Sequence, residues 1–243
     1  RDIEIINTEL VLADLDTVAR RMDRTKKLAR GGDKKSVAEL ALLERVNQAL
    51  EEEKPVRSLG LDEDEKLLLR DLHLLTGKPI LYVANVAEND LPEMENDLVA
   101  QIREHAAKEG AEVVTVCAKI EAEISELDGE EAQEFLADLG LEESGLNKLI
   151  RAAYHLLGLV TFFTAGEKEV RCWTIRRGTK APQAAGVIHS DIERGFIRAE
   201  VIRFEELVGL GSFANARTQG ALRLEGKEYE MQDGDVVYFR FNV

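Results

Sequence analysis

Two short polar sequences close two apolar runs of this chain. Asn85-Val86-Ala87-Glu88 follows Ile80-Leu81-Tyr82-Val83-Ala84, and Cys117-Ala118-Lys119 ends Val113-Val114-Thr115-Val116. An amide and a carboxylate three residues apart can read the edge of a purine. A carboxylate only accepts hydrogen bonds, and guanine offers it two donors, N1–H and the N2 amino group. Adenine has an acceptor at N1, so the carboxylate loses its bidentate partner there. A site built for a hydrogen-bond pair discriminates by orders of magnitude when that pair is missing. The extra methylene of Glu88, relative to Asp, shifts the group as well, so guanine preference is expected to be weak or lost. Asn-x-x-Glu by itself is unspecific, and an Asn that caps the following turn explains it as well. Lys119 alone would read as a solvated surface lysine. Their positions at two strand ends, one helix apart, favour the ligand-binding account.

The elements that must position these groups follow from the pattern around them. Each run is continuously apolar, as in a parallel strand buried on both faces. A helix expected from about Pro92 to Lys108, closed by Gly110, joins the two runs into a βαβ unit. Such units bring ligand-binding residues to the carboxyl ends of their strands. Upstream, Asp2 to Arg30 contains no Gly or Pro, and Ile3, Ile6, Leu10, Ala13 and Thr17 recur at helical spacing. Gly31-Gly32 ends that helix. A capping box at Ser36 to Glu39 then starts a second, with Val37, Leu40, Leu43, Val46 and Leu50 on one stripe. Two helices joined by a short turn predict an antiparallel, coiled-coil-like hairpin. Its tip gathers Arg20, Arg21, Arg24, Lys26, Lys27, Arg30, Lys34 and Lys35. Either these form a solvated face at a helix C-terminus, where cations are favourable, or they are a phosphate-contacting prong for RNA or a ribosome. A third helix is expected from a capping pattern at Asp62 to Glu65 as far as about Leu75. Others are expected at about 120–127, 130–139 and 146–157, the last started by Ser144.

Charge and composition bound the function. The chain has 243 residues, 44% of them hydrophobic, and a formal net charge of −15, so its long-range field repels DNA and anionic membranes. Residues 1–158 hold 20 Lys and Arg against 35 Asp and Glu, whereas 159–243 hold 12 against 12. That shift supports a boundary near Gly158. No run reaches the ~18 apolar residues of a membrane span, and the start RDIEIINTEL has no basic-then-apolar leader, which makes the cytoplasm the expected location. Cys117 and Cys172 stand in no metal-ligand spacing and read as reduced core residues. His155 and His189 read as structural histidines, His73 and His105 as exposed helix residues. Trp173, Phe196, Phe204, Phe239 and Phe241 read as core, and Asp128, Glu130, Asp233 and Asp235 as turn chemistry. Beyond Gly158 the texture changes to four short strands, 160–163, 170–175, 197–203 and 236–241, with one helix near 181–190, which predicts a small α+β roll.

Glycine-rich phosphate-binding loops of the form Gly-x-x-x-x-Gly-Lys-Ser/Thr are missing: Gly31 to Ser36 has the wrong spacing and Gly77-Lys78 meets Pro79. The segment alone is therefore not expected to hydrolyse a nucleotide. Two parallel strands also make an incomplete sheet with open edges, which predicts a first half of the nucleotide fold, roughly a hundred residues, upstream.

The two strand-end sequences resemble the last two nucleotide-binding elements of a GTPase-type domain. The stretch Arg171-Cys172-Trp173-Thr174-Ile175-Arg176-Arg177-Gly178-Thr179-Lys180-Ala181-Pro182-Gln183-Ala184-Ala185-Gly186-Val187-Ile188-His189-Ser190-Asp191 is similar to the TGS domain of the YchF/Obg-like ATPases, a family of TRAFAC-class P-loop NTPases. So are Glu193 to Glu200 and the ending from Asp233-Gly234-Asp235-Val236 to Asn242-Val243. The opening IEIINTELVLADLDTVARR, the turn ARGGDKK and Asn85 to Glu88 resemble that family in the same order. The resemblance implies the C-terminal part of a GTPase-like α/β parallel-sheet domain, interrupted by the helical hairpin and followed by an α+β β-grasp TGS domain. The implied divisions are 1–60, 61–158 and 159–243. It further implies ATP, or GTP, as ligand, with Mg²⁺ held by the upstream part. Asn85 and Val86 would contact the adenine, Glu88 would hold the loop, Cys117 and Ala118 would form the opposite wall, and Lys119 would belong to the same nucleotide-binding set. The implied whole is a monomeric, ribosome-associated nucleotide switch. The competing account is a non-catalytic module binding RNA, ribosome or protein.

Overall fold

The computed structural model describes residues 1–166 and 169–242, and it divides into two compact units, 1–80 and 81–243. In the first unit, α1 (Asp2–Ala29) and α2 (Lys34–Glu51) run antiparallel. The tight turn between them is closed by Gly32 at φ +79°, and Arg21 near the end of α1 meets Glu39 near the start of α2 at 2.6 Å. Val11 and Val18 pack on Leu42, Leu43, Val46 and Leu50, and α3 (Glu63–Leu69) closes the core with Leu69 and, past it, Leu74. The cap of α2 is Asp33, not the expected Ser36. The Asp33 carboxylate accepts from the Ser36 N–H at 2.8 Å and from its hydroxyl at 2.5 Å, so Ser36 sits one turn inside. The capping box at Asp62 and Glu65 does form, but α3 stops six residues short of the expected end. The reason lies in α1: the buried carboxylate of Asp14 accepts from the N–H of Leu75 (2.8 Å) and from the N–H and hydroxyl of Thr76 (2.8 and 2.7 Å). Those amides are thereby lost to a helix, and His73, exposed, adopts φ +49° beyond the helix rather than within it.

In the second unit, β1 (Leu81–Asn85) and β2 (Glu112–Val116) pair in parallel, with Asn85 opposite Val116. They are joined by α4 (Asp97–Glu109). That helix starts five residues later than expected, because Asn96 caps it through the N–H groups of Leu98 and Val99. Ala84 and Val114 are buried, but Val83 is 48% exposed. The strands are therefore not covered on both faces, since each has a single strand neighbour among the described residues. Helices α5 (Ala118–Ile124), α6 (Gly129–Asp138) and α7 (Gly145–Leu156) follow, the last two capped by Asp128 and Ser144.

A five-stranded sheet completes this unit. Its strands are β3 (Leu159–Ala165), β4 (Val170–Arg176), β5 (Phe196–Arg203), β6 (Arg223–Glu225) and β7 (Asp235–Phe241), in the order β4-β3-β7-β5-β6. Only β3 and β7 pair in parallel. Against one face lies α8 (Ala181–Ile188), burying Ala181, Ala184 and Ala185 on Val160, Phe162, Val201 and Phe239; α9 (Ser190–Arg194) continues it. The short helices α10 (Phe204–Leu210) and α11 (Phe213–Thr218) build a second cluster around Ile202, Ala216 and Val236. The expected four strands and one helix thus become five strands and four helices among the described residues. Cys172 is exposed rather than core: on edge strand β4 the alternation sends Trp173 and Ile175 inward and Cys172 out. Phe196 and Phe239 are core, but Phe204 and Phe241 are about half exposed because they sit where strands end. His155 is exposed; His189 caps α9 through its Nδ1; His105 is half-buried with its ring edge-on to Tyr82 at 5.8 Å. Among the described residues no helix is long and apolar enough to cross a membrane, and no cluster of His, Cys, Asp and Glu is placed to hold a metal ion.

Candidate functional site

Both polar sequences singled out above emerge at the same end of the β1–β2 pair, and three contacts tie them together. The Val86 N–H donates to the Val116 carbonyl at 2.8 Å, which extends the parallel ladder by one bond. Asn85 Oδ1 accepts from the N–H of Ala118 at 3.0 Å, and that residue opens α5, whose first N–H groups have no partner inside the helix. Lys119 Nζ lies 2.8 Å from Glu88 Oε1 and 2.9 Å from Oε2. The Glu88 carboxylate, by hydrogen bond and charge, holds the Lys119 ammonium pKa above its ordinary value.

These contacts sort the candidate residues. Asn85, Glu88, Ala118 and Lys119 are exposed, whereas Val86 and Cys117 point into a core with Ala84, Met94 and Ile120. Val86 and Cys117 therefore bring only backbone to the surface of the turns. With its Oδ1 engaged by Ala118, the Asn85 amide keeps an NH₂ group that has no partner among the described residues. It can donate to a ring nitrogen. The Glu88 carboxylate is spent on Lys119.

Sequence reasoning missed the groups that stiffen these turns. Asp90 Oδ2 accepts from the Ala87 N–H at 3.2 Å and from the Asn96 side chain at 3.0 Å, which fixes the loop through Glu88. Glu121, on α5, accepts from the N–H groups of Gly145 (2.6 Å) and Leu146 (3.0 Å), docking the start of α7. Gly145 is needed there, since a Cβ would stand 2.9 Å from Val116 Cγ1. The only local signals were an Asp two residues past Glu88 and a Gly directly after the Ser144 cap.

The basic cluster lies in the first unit, at the end of α1 and the start of α2. Arg20 pairs with Asp16 at 3.0 Å and Arg21 with Glu39. Arg24, Lys26, Lys27, Arg30, Lys34 and Lys35 are exposed, and the first four make no ion pair with a described residue.

Residues 159–242 match the family described as YchF-GTPase_C, protein of unknown function (DUF933). The chain is 58% identical over 243 residues to the ribosome-binding ATPase YchF of Bacillus subtilis (strain 168), and 54% identical over 242 residues to that of Escherichia coli O157:H7. In each case the alignment covers 100% of this chain and 66% of the relative. It is 41% identical over 247 residues to Obg-like ATPase 1 of Pongo abelii, covering 62% of that protein. The chain thus spans about two thirds of the length of the curated relatives it matches. The YchF GTPase of Schizosaccharomyces pombe superposes with a TM-score of 0.86 at 34% identity over 99% of this chain and 65% of that one. A GTP-binding protein from Pyrococcus horikoshii OT3 shares the fold at a TM-score of 0.59 and 18% identity. With more than half its residues identical to bacterial YchF along its whole length, this chain belongs to the YchF/Obg-like ATPase family.

Proposed function

We propose that this chain supplies the base-recognition end and the partner-binding parts of a ribosome-associated nucleotide switch, one that binds and hydrolyses ATP, with Mg²⁺, as the complete protein. The observation that carries the reading is the joining of the two turns by Asn85, Ala118, Glu88 and Lys119 at one end of the parallel pair. An exposed amide with a free NH₂ fits a purine edge. The phosphates and Mg²⁺ would be held by parts of the family fold that no residue here matches. A carboxylate neutralised by Lys119 is poorly placed to accept two hydrogen bonds from guanine, which supports ATP over GTP. The sheet order β4-β3-β7-β5-β6, with its parallel central pair and α8 on one face, supports a β-grasp TGS domain over 159–243. Residues 1–60 then act as the inserted hairpin and 61–158 as the nucleotide-binding part. A ribosomal partner supports a cytoplasmic location.

The test is equilibrium binding of ATP and GTP to the full-length protein. ATP should bind more tightly, and Asn85→Ala should weaken it roughly tenfold or more, the worth of one or two hydrogen bonds in a desolvated site. Tight GTP binding with poor ATP binding would overturn the base assignment.

The unpaired cations of the hairpin tip support the ribosomal contact. Each phosphate neutralised by a Lys or Arg adds to the salt dependence of binding. Replacing Arg24, Lys27 and Arg30 together by Glu should reduce co-sedimentation with ribosomes and flatten its dependence on salt. These side chains are exposed, so the helical circular dichroism should stay as it was. Unchanged sedimentation at every salt concentration would remove the prong from the proposal.

A further inference from the structure

Away from the base-recognition turns, the second unit contains a cavity of about 480 Å³ where the last two turns of α7 face β3 and the turn at Asp233-Gly234. Its size falls in the range that holds small organic ligands. One wall is apolar, built from Ile150, Tyr154, Leu159 and Phe163. Ile150 remains 46% and Tyr154 37% exposed, so this wall lacks a cover. The remaining lining is polar: Arg151, Arg177, His155 and Thr161 stand with one carboxylate, Asp233. That carboxylate is engaged, its Oδ1 accepting from the Thr161 N–H at 2.7 Å. Arg151 shares its charge with Glu143, but the exposed Arg177 guanidinium makes no ion pair with a described residue.

A second hollow of about 390 Å³ beside β2 shares Arg151 and His155; it adds Lys148, also without an ion pair to a described residue, and Glu112, whose carboxylate lies 3.9 Å from His155 Nδ1. In a chain carrying −15, Arg177 and Lys148 are two cations without an ion pair to a described residue, and they stand beside exposed apolar surface. A purely polar anion would leave the Tyr154–Phe163 wall wet. A neutral aromatic would leave Arg177 unpaired beside it.

We propose that this cavity is a binding site for a small aromatic anion, its ring against Tyr154 and Ile150 and its charged group at Arg177. Charge-assisted contacts from a planar guanidinium suit a carboxylate or phosphate, and the tyrosine ring suits a flat partner. The cavity shares no lining residue with the turns at 85–88 and 117–119, so the assignment stands apart from the nucleotide reading.

Phenyl phosphate is a suitable probe, titrated into the 243-residue chain and followed by amide chemical shifts. Saturable binding is expected, with shifts concentrated at Tyr154, Leu159 and Phe163. Phenol and inorganic phosphate, each carrying half the chemistry, should bind at least about tenfold more weakly. Arg177→Gln and Tyr154→Ala should each lower affinity by about tenfold, Arg177→Lys should lower it less, and Asn85→Ala should not change it. Arg177 is exposed and its replacement leaves the fold intact, so a loss there reports on binding. The proposal is overturned by an absence of saturation. It is equally overturned by equal binding of inorganic phosphate, or by shifts and mutational sensitivity centred on Asn85 and Ala118 in place of Tyr154 and Arg177.

Discussion

Asp14→Ala is expected to destabilise the first unit by about 3–5 kcal/mol, a large share of the ~5–15 kcal/mol typical of a folded domain. The wild-type carboxylate, 2% exposed, accepts three hydrogen bonds: from the N–H of Leu75 and from the N–H and hydroxyl of Thr76. The Thr76 hydroxyl in turn accepts from the Val56 N–H at 3.1 Å, so the network reaches a third segment. Removing the acceptor leaves the buried Thr76 N–H, the part-buried Leu75 N–H and the Thr76 hydroxyl proton without an acceptor. Each unsatisfied group costs about 1–3 kcal/mol, with some relief from water entering the gap. Asp14→Asn keeps one acceptor oxygen and should lose less. Hydrogen exchange separates this effect from general damage. Amides of α1, α2 and α3 should exchange faster in Asp14→Ala, while those of β5 and β7, in the other unit, stay protected. Uniform protection in both units would show that the network contributes nothing.

Asp14 also marks the boundary of what could be read from the sequence. Local signals told the truth where structure is local: the Gly-Gly stop after α1, the caps at Asp62 and Ser144, and the two apolar runs that became β1 and β2. The strand-end positions of Asn85 and Ala118 followed from the same periodicity. Nothing near Leu75 hinted that its amide is taken by a side chain 61 residues earlier, which is why α3 was expected to run on. The Lys119–Glu88 pair, 31 residues apart, was equally invisible, although both members had been singled out for other reasons. Cys172 was read as core, yet its outward position was legible. A strict alternation over Val170 to Arg176 that buries Trp173 and Ile175 must expose it. Helices α10 and α11 escaped because each is shorter than two turns and glycine-bounded, too brief for a helical period to show.

A second buried carboxylate makes Asp235→Ala the second large effect, about 2–4 kcal/mol in the second unit. Asp235 is fully buried at the start of β7. Its Oδ2 accepts from the Tyr229 hydroxyl at 2.7 Å and from the Gln232 N–H at 2.9 Å. Its Oδ1 has no hydrogen bond but faces Arg223 at 3.6 Å and Arg203 at 3.8 Å. Taking the carboxylate away leaves the phenol and the Gln232 N–H without their acceptor, and leaves Arg203 and Arg223 with Glu205 and Glu225 as ion-pair partners, at 4.0 and 3.7 Å. Both guanidinium groups are nearly half exposed, so solvent relieves part of their loss and most of the cost falls on the Tyr229 hydroxyl and the Gln232 N–H. The pH dependence offers an independent check. Burial first, and the Asp235 carboxylate second, push the Tyr229 hydroxyl from 10.0 up to about 12. A folded-state pKa above the unfolded one means that the protonated phenol stabilises the fold. That contribution is complete below pH 10 and is lost as pH rises towards 12. Thermal melts of the wild-type chain should therefore fall across that window. Tyr229→Phe should flatten the decline, and Asp235→Ala should begin from a melting temperature already lower by roughly 10 °C at neutral pH. An Asp235→Ala protein that melts like wild type at neutral pH would mean that the two arginines find solvent at no cost, and that the carboxylate is dispensable to the sheet it anchors.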